Sequence, residues 1–184
     1  APLMLELSNW GIKNISELFW LNIPPAGNVS QASELLTQLG AIKNNNITQR
    51  GKQMLEMPTH PRIAHLLIEA KLWQQKNPEI NYAALATDIA ALLEERDPLQ
   101  KESGTDLSLR VEMLRKWRSG EFVNADKRIL ERIERLAQSW RKLLRMETDN
   151  STEHVFATGK LLAAAYPERV AKRIDKTGLR YRLS

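Results

Sequence analysis

Apolar positions recur along most of this chain at spacings of three and four, the repeat that places side chains on one face of an α-helix. Leu3, Leu7 and Trp10 form the first such set, with Gly11 as a stop signal. Ile15 to Trp20 reads as a short apolar helix halted by Pro24 and Pro25. A better-marked helix follows. Asn28 or Ser30 can cap it, Val29, Ala32, Leu35, Leu36 and Leu39 line one face, and Gly40 ends it. The pattern then changes: Ala41-Ile42 and Ile47 flank Asn44-Asn45-Asn46, and asparagine tolerates left-handed backbone, which predicts a tight hairpin. Thr48 is placed to cap a further helix running to about Met57. Helices, a small hairpin and another helix in that order predict a winged-helix domain, a fold used on nucleic acid but also on protein.

Beyond Pro58 the spacing predicts a helical bundle. Pro61 suits a first helical position, and Ile63, Ala64, Leu66, Leu67, Ile68, Ala70 and Trp73 make the helix it opens apolar around much of its circumference, as expected of a central helix. Asn77-Pro78 gives a fresh start, Tyr82, Leu85, Ile89 and Leu92 form the next stripe, and Asp97-Pro98 stops it. Lys101 to Thr105 reads as a flexible polar loop, and Asp106 as the cap of a helix through Leu107, Val111, Leu114 and Trp117. A long helix carries Ile129, Ile133, Leu136, Trp140 and Leu143; two heptads without continuation favour packing within a bundle over a coiled coil. Asp149 to Thr152 reads as a second loop, Val155 to Tyr166 as a helix, and Pro167 as the start of a short last one. Leu179, Tyr181 and Leu183 alternate with Arg180 and Arg182, a strand pattern for which the sequence shows no nearby partner, as if a further domain began there.

Composition narrows the class. A 42% hydrophobic and 27% charged chain of 184 residues has the balance of a folded globular protein. It has no cysteine, which removes disulfides, thiolate chemistry and cysteine-ligated zinc and suits a reducing cytoplasm. The most apolar stretch, Tyr82 to Leu93, is too short to span a bilayer, and no secretory signal precedes the first helix. The chain opens on Ala1 inside an apparent helix, which reads as a piece excised from a longer protein or as simple loss of methionine. The net charge of +5 is concentrated, with basic residues outnumbering acidic ones from Arg110 to Arg145 and again from Lys160 to Arg182. Two readings stay open: contact with a polyanion, or solvated helix faces.

Candidate chemistry is sparse. No Gly-rich phosphate loop, dinucleotide fingerprint or nucleophile elbow occurs. His60 and His65 are five apart, so they do not share a helix face as paired ligands, and no carboxylate completes a metal site. His154 stands alone, and the adjacent Glu94 and Glu95 point different ways on their helix. The expectation is therefore of no catalytic residues and no metal. Trp10, Trp73, Trp117 and Trp140 fall on apolar stripes, which favours core packing over base stacking, while Trp20 beside the proline turn is undecided.

Four segments in order carry a resemblance: Phe19-Trp20-Leu21-Asn22-Ile23-Pro24-Pro25-Ala26, Ala32-Ser33-Glu34-Leu35-Leu36-Thr37-Gln38-Leu39-Gly40-Ala41, Ile47-Thr48-Gln49-Arg50-Gly51-Lys52-Gln53-Met54, and Met57-Pro58-Thr59-His60-Pro61-Arg62. They resemble the region that follows the second motor domain in DEAH-type helicases. Leu92-Leu93-Glu94-Glu95-Arg96-Asp97-Pro98-Leu99, Ala165-Tyr166-Pro167-Glu168-Arg169 and Arg180-Tyr181-Arg182-Leu183 narrow it to a bacterial branch.

The resemblance implies a mainly α chain: a winged-helix domain over 1–58, a helical-bundle ratchet domain over 59–174, and the start of a truncated C-terminal domain over 175–184. It implies an accessory segment of an ATP-dependent helicase, forming part of a single-strand channel beside the motor domains of the same parent chain. RNA is favoured over DNA as the strand, with ATP and Mg held by the motor domains and no ATPase activity in this segment. The residues expected to grip phosphates are Arg50, Lys52 and Arg62 near the domain junction and Arg110, Arg115 and Arg118 on the basic helix; for each, a solvated or ion-paired side chain is the alternative. Arg96 and Asp97 are expected to organise the turn ending their helix or to touch the motor. A stand-alone winged-helix regulator of duplex DNA and a protein-interaction scaffold are the competing readings.

Overall fold

A computed structural model describes residues 1–99, 104–150, 156–174 and 180–183. The chain is mainly α-helical, with eight α-helices and two small two-stranded sheets among the described residues. It divides into two compact units, one formed by Ala1–Ile68 with Leu162–Ser184 and the other by Glu69–Leu161. The chain's last part returns to the unit that contains its first. Expectations placed on Lys101, Thr152, His154, Val155 and Leu179 lie outside the described residues.

The first unit begins with α1 (Pro2–Asn9) and α2 (Ala26–Gln38). Leu5 and Leu7 are buried in α1, whereas Leu3 and Trp10 are exposed. Trp10 is therefore not a core residue. It is the C-cap, and Gly11 at φ +80° turns the chain just beyond the last helical turn. The short helix expected through Trp20 shrinks to a 3-10 turn at Ile15–Glu17, where the Asn14 side chain accepts from the Ser16 N–H at 3.1 Å. The backbone is extended by Leu18, and Trp20 folds back to donate from Nε1 to the Ile15 carbonyl. Helix α2 starts at Ala26 behind Pro25, earlier than the caps at Asn28 or Ser30 would have set it.

The hairpin forms as its asparagines predict. β1 (Ile42–Lys43) and β2 (Asn46–Ile47) pair antiparallel, with Ile42 opposite Ile47. Asn44 and Asn45 between them both have positive φ (51° and 58°), the geometry of a two-residue turn whose twist matches the strands. Thr48 caps α3 (Gln49–Leu55) by accepting from the Gly51 N–H at 3.0 Å, while its hydroxyl donates to the Gly40 carbonyl at 2.6 Å. One side chain thus ties the end of α2, the hairpin and the start of α3. Leu5, Leu36, Leu39, Ala41, Ile42, Met54, Ala64 and Ile68 close over this joint as the core of the unit.

Helix α4 (Pro61–Lys76) buries Ile63, Ala64, Leu66, Leu67, Ile68 and Ala70, as its all-round apolar pattern predicts, and the division between units falls within it. In the second unit, α5 (Tyr82–Glu94) is buried at every residue from Tyr82 to Leu92, so burial extends well past the expected stripe. Its alanines at 83, 84, 86, 90 and 91 keep its surface low enough for neighbouring helices to approach closely. Helices α6 (Leu107–Arg118) and α7 (Lys127–Leu144) pack against it, each started by an aspartate cap, Asp106 and Asp126. The buried face of α7 is Leu130, Ile133, Ala137, Trp140 and Arg141, rotated from the expected one so that Leu143 is exposed.

Helix α8 spans Ala157–Ala165, and a 3-10 turn at Pro167–Arg169 leads into β3 (Ala171–Arg173). β3 pairs antiparallel with β4 (Tyr181–Leu183), so the terminal strand does have a partner close in sequence. The sequence hides it because Ala171-Lys172-Arg173 has no apolar alternation. No described helix is long and apolar enough to cross a membrane.

Gly51 shows how tightly the winged-helix joint is built. A Cβ there would lie 2.3 Å from the Ala41 carbonyl oxygen and 2.7 Å from Ile47 Cγ1. Gly51→Ala should therefore lower unfolding stability by about 3 kcal/mol, the upper part of the overpacking range, because a backbone carbonyl must move. Gly27→Ala, in a helix with open space around it, should be neutral or slightly stabilising. Urea midpoints of the two variants against wild type measure the difference.

Candidate nucleic-acid interface

Of the six cationic residues expected to grip phosphates, three are held inside the protein. Arg110, in the first turn of α6, directs Nε and an NH2 group onto the Asp97 carboxylate (3.3 and 2.7 Å). Its remaining donors reach the carbonyls of Asp106 (3.0 Å) and Gly104 (2.6 Å), and its side chain is almost fully buried. Asp97 also accepts from the Leu99 N–H at 3.0 Å, so it does organise the turn that ends α5, with Arg110 as its counter-ion. The Arg110 hydrogen bond holds the Asp97 carboxyl below the ordinary aspartate range.

Arg118, in the last turn of α6, forks onto Asp88 at 2.6 and 2.8 Å and donates from Nε to Glu134. Arg141 on α7 reaches the same two carboxylates. Two guanidinium groups and two carboxylates thereby form a closed, charge-balanced ring among α5, α6 and α7, with Asp88 only 1% exposed. Burial alone would disfavour the Arg118 charge; its bonds to Asp88 and Glu134 outweigh that and hold its pKa above the ordinary guanidinium value.

Arg62, in the first turn of α4, donates to the last carbonyl of α8, that of Ala165, at 2.8 Å and pairs with Glu168 at 2.8 and 2.9 Å. Its guanidinium also lies 4.8 Å from the centre of the Tyr166 ring. Within the first unit it therefore pins the Pro167–Arg169 turn, and it lowers the Glu168 pKa in doing so. Arg115 is half-buried on α6 and engaged within the fold, as is Arg50 on α3. Lys52 on α3 is exposed, beside exposed Gln49 and Gln53.

Arg62, Arg110 and Arg118 are thus ion-paired within the fold, to Glu168, to Asp97, and to Asp88 with Glu134, and Arg62 and Arg110 also donate to backbone carbonyls. Their partners lie 106, 13, 30 and 16 residues away, beyond the reach of local charge patterns.

Further basic surface lies on α7. Lys127, Arg128, Arg135 and Lys142 are exposed along α7, and Arg132 pairs loosely with Glu95 at 3.5 Å. A cleft of about 400 Å³ in the second unit is lined by Lys71, Gln74, Gln75, Pro78, Ala83, Leu144, Arg145 and Met146, a mixture of cations, amides and apolar groups. The aromatic pair in that unit, Trp73 and Tyr82, is edge-to-face at 5.7 Å, and Lys160 Nζ sits 4.2 and 4.6 Å from their ring centres. Those rings are faced by the chain's own Lys160, which favours packing over base stacking.

Comparison with known proteins places this architecture. Residues 34–59 match the family described as Helicase associated domain (HA2), winged-helix. Over 184 residues the chain is 29% identical to the ATP-dependent RNA helicase HrpB of Escherichia coli (strain K12), covering all of this chain and 19% of that protein. It is 36% identical over 72 residues to the probable ATP-dependent RNA helicase DHX35 of Homo sapiens, covering 38% of this chain and 10% of that one. A crystal structure of the E. coli DExH-box NTPase HrpB superposes with a TM-score of 0.66 at 27% identity, over 99% of this chain and 19% of that one. The resemblance to bacterial HrpB therefore runs the length of the chain, and the chain spans about a fifth of that relative or less.

Two predictions follow from the ion pairs. Arg118→Met leaves buried Asp88 short of a counter-charge and should cost about 3 kcal/mol, whereas Arg135→Ala on the exposed face of α7 should change stability by less than about 0.5 kcal/mol. Chemical denaturation separates the two, and a loss below about 1 kcal/mol for Arg118→Met would mean that the ring does not hold the three helices together. Asp97 and Glu168 both have lowered pKa values in the folded state, so their contribution is complete above the unfolded carboxylate value and disappears as pH falls through the folded one. Asp97→Asn and Glu168→Gln should each lower the urea midpoint at neutral pH and decline less steeply than wild type below about pH 4.

Proposed function

We propose that this chain is the accessory segment of an ATP-dependent RNA helicase, a winged helix and a helical ratchet domain that wall part of a single-strand channel beside the motor domains. The observation that carries this reading is the whole-length similarity to HrpB, in sequence at 29% identity and in fold at a TM-score of 0.66. The functional regions of this reading are a winged helix over 1–58 and a ratchet domain over 59–174.

The chemistry of the surface supports a mechanical role. Channel walls hold phosphates through sequence-independent cations, and exposed Lys52 with the basic face of α7 supplies them; Arg50 and Arg115 stay as secondary candidates. A wall must also resist the pull of a moving strand. The Asp88–Arg118–Glu134–Arg141 ring gives the second unit cross-links at buried positions, where ion pairs are least screened. The sequence carries no Gly-rich phosphate loop. Nucleotide chemistry belongs to the motor domains of a cytoplasmic parent enzyme.

The first unit leaves a short apolar stretch uncovered. Phe19, Leu21 and Ile23 are 107, 100 and 76% exposed in the segment before α2. Large apolar side chains this open to water, close together in sequence, are unfavourable unless another surface covers them. We assign them to docking against the motor portion of the same polypeptide.

The direct test is fluorescence anisotropy of this chain with labelled single-stranded RNA, with a duplex control and several salt concentrations. The expected result is salt-sensitive binding that favours the single strand, with Lys52→Ala weakening it and reducing the salt slope by about 1. Preference for the duplex would replace the channel reading with that of a winged-helix DNA regulator.

A further inference from the structure

The β3–β4 hairpin combines three features that stand apart from the rest of the chain. Its register sets Lys172 directly opposite Arg182, with Ala171 opposite Leu183 and Arg173 opposite Tyr181. The Ile174 N–H donates to the Arg180 carbonyl at 3.1 Å, which continues the ladder by one pair. Side chains alternate between faces, so Lys172, Arg182, Ile174 and Arg180 share one face. Like charges directly opposite on one face repel, and a two-stranded hairpin has little other stabilisation to offset this.

Charge compensation is the second feature. Several cations elsewhere come with counter-ions: Arg62 with Glu168, Arg110 with Asp97, Lys116 with Glu112, and Arg118 and Arg141 with Asp88 and Glu134. The described part of the hairpin holds four basic residues and no acidic one, and of these Arg173 is engaged within the fold. Among the described residues no carboxylate pairs with Lys172, Arg180 or Arg182. The third feature is exposure, since every residue from Arg169 to Ile174 and from Arg180 to Leu183 is open to solvent, and Tyr181 is 58% exposed.

We propose that this hairpin is a nucleic-acid contact in which Lys172 and Arg182 close on one phosphate of a single strand and Arg180 takes a neighbouring one. An anion between Lys172 and Arg182 converts their repulsion into two attractive contacts, so binding also stabilises the hairpin. Positions two apart on one strand face are separated by roughly 7 Å, which long basic side chains can match to successive phosphates. The reverse face offers the Tyr181 ring for a base to stack on. The choice of a phosphodiester as the anion rests on the helicase reading above.

The test uses charge reversal that favours the fold. Lys172→Glu places a carboxylate opposite Arg182, which should leave the thermal midpoint unchanged or raised, while the phosphate site loses its clamp. Single-stranded RNA affinity should fall about tenfold or more at low salt, and the slope of log K against log salt should shrink by about 1. Arg182→Gln provides a second variant with the same expected direction and no new charge. If wild type binds the strand, Lys52→Glu weakens it, and both hairpin variants bind like wild type with an unchanged slope, the hairpin proposal is overturned and the helicase reading stands. Absence of strand binding by wild type at low salt would overturn the helicase reading, and the hairpin's ligand with it. Binding of polyglutamate as tightly as RNA, lost in both hairpin variants, would overturn the proposal by assigning the hairpin to an acidic protein.

Discussion

Asp88 is a carboxylate with almost no contact with water, placed in the middle of a helix that is buried on all sides. An isolated charge there would cost several kcal/mol, more than a domain of this size can readily bear. Arg118 from one neighbouring helix and Arg141 from another are therefore required partners, and Glu134 balances the second positive charge. Apolar packing fixes that helices associate; this ring restricts how they do, because a slip of one helix by a turn would leave an ion unpaired in the interior. The alanine-rich surface of α5 is the complementary condition, since only a slim helix lets two arginines from different neighbours reach one carboxylate.

The first unit meets the same requirement with uncharged groups. Thr48 accepts from Gly51 and donates to the end of α2, and Gly51 lets α3 sit against the backbone of Ala41. The Ile-Thr-x-x-Gly string is thus a packing device: a cap, followed one turn later by a residue with no side chain where a carbonyl passes. The winged helix depends on this joint more than on its short hairpin, which contributes two residues per strand.

These constraints bear on function through the distribution of arginine. Most guanidinium groups in the helical unit that looked available for a polyanion are committed to structure. Cations on α3, on α7 and on the terminal hairpin are among those left open to solvent. A basic chain can therefore be rigid and adhesive at once, provided that different arginines serve the two purposes.

Much of this was readable from the chain. Apolar spacing located the helices from α2 to α8, the asparagine run fixed the hairpin turn, and Thr48, Asp106 and the prolines marked helix starts, because each of these acts on backbone within a few residues. The ordered motifs pointed to a helicase-associated segment for the same reason: each encodes a local packing need. The sequence failed where the deciding partner was distant. Trp10 fell on a stripe that ended one residue too soon, α7 turned its face to bring Arg141 inward, and β4 found its partner in a stretch without alternation. Above all, whether an arginine faces solvent or a carboxylate of the same chain depends on residues up to 106 positions away. Local chemistry determined the elements; only the folded chain decided which charges were left for a partner, because neutralising a buried ion is a property of the assembled helices and of none of them alone.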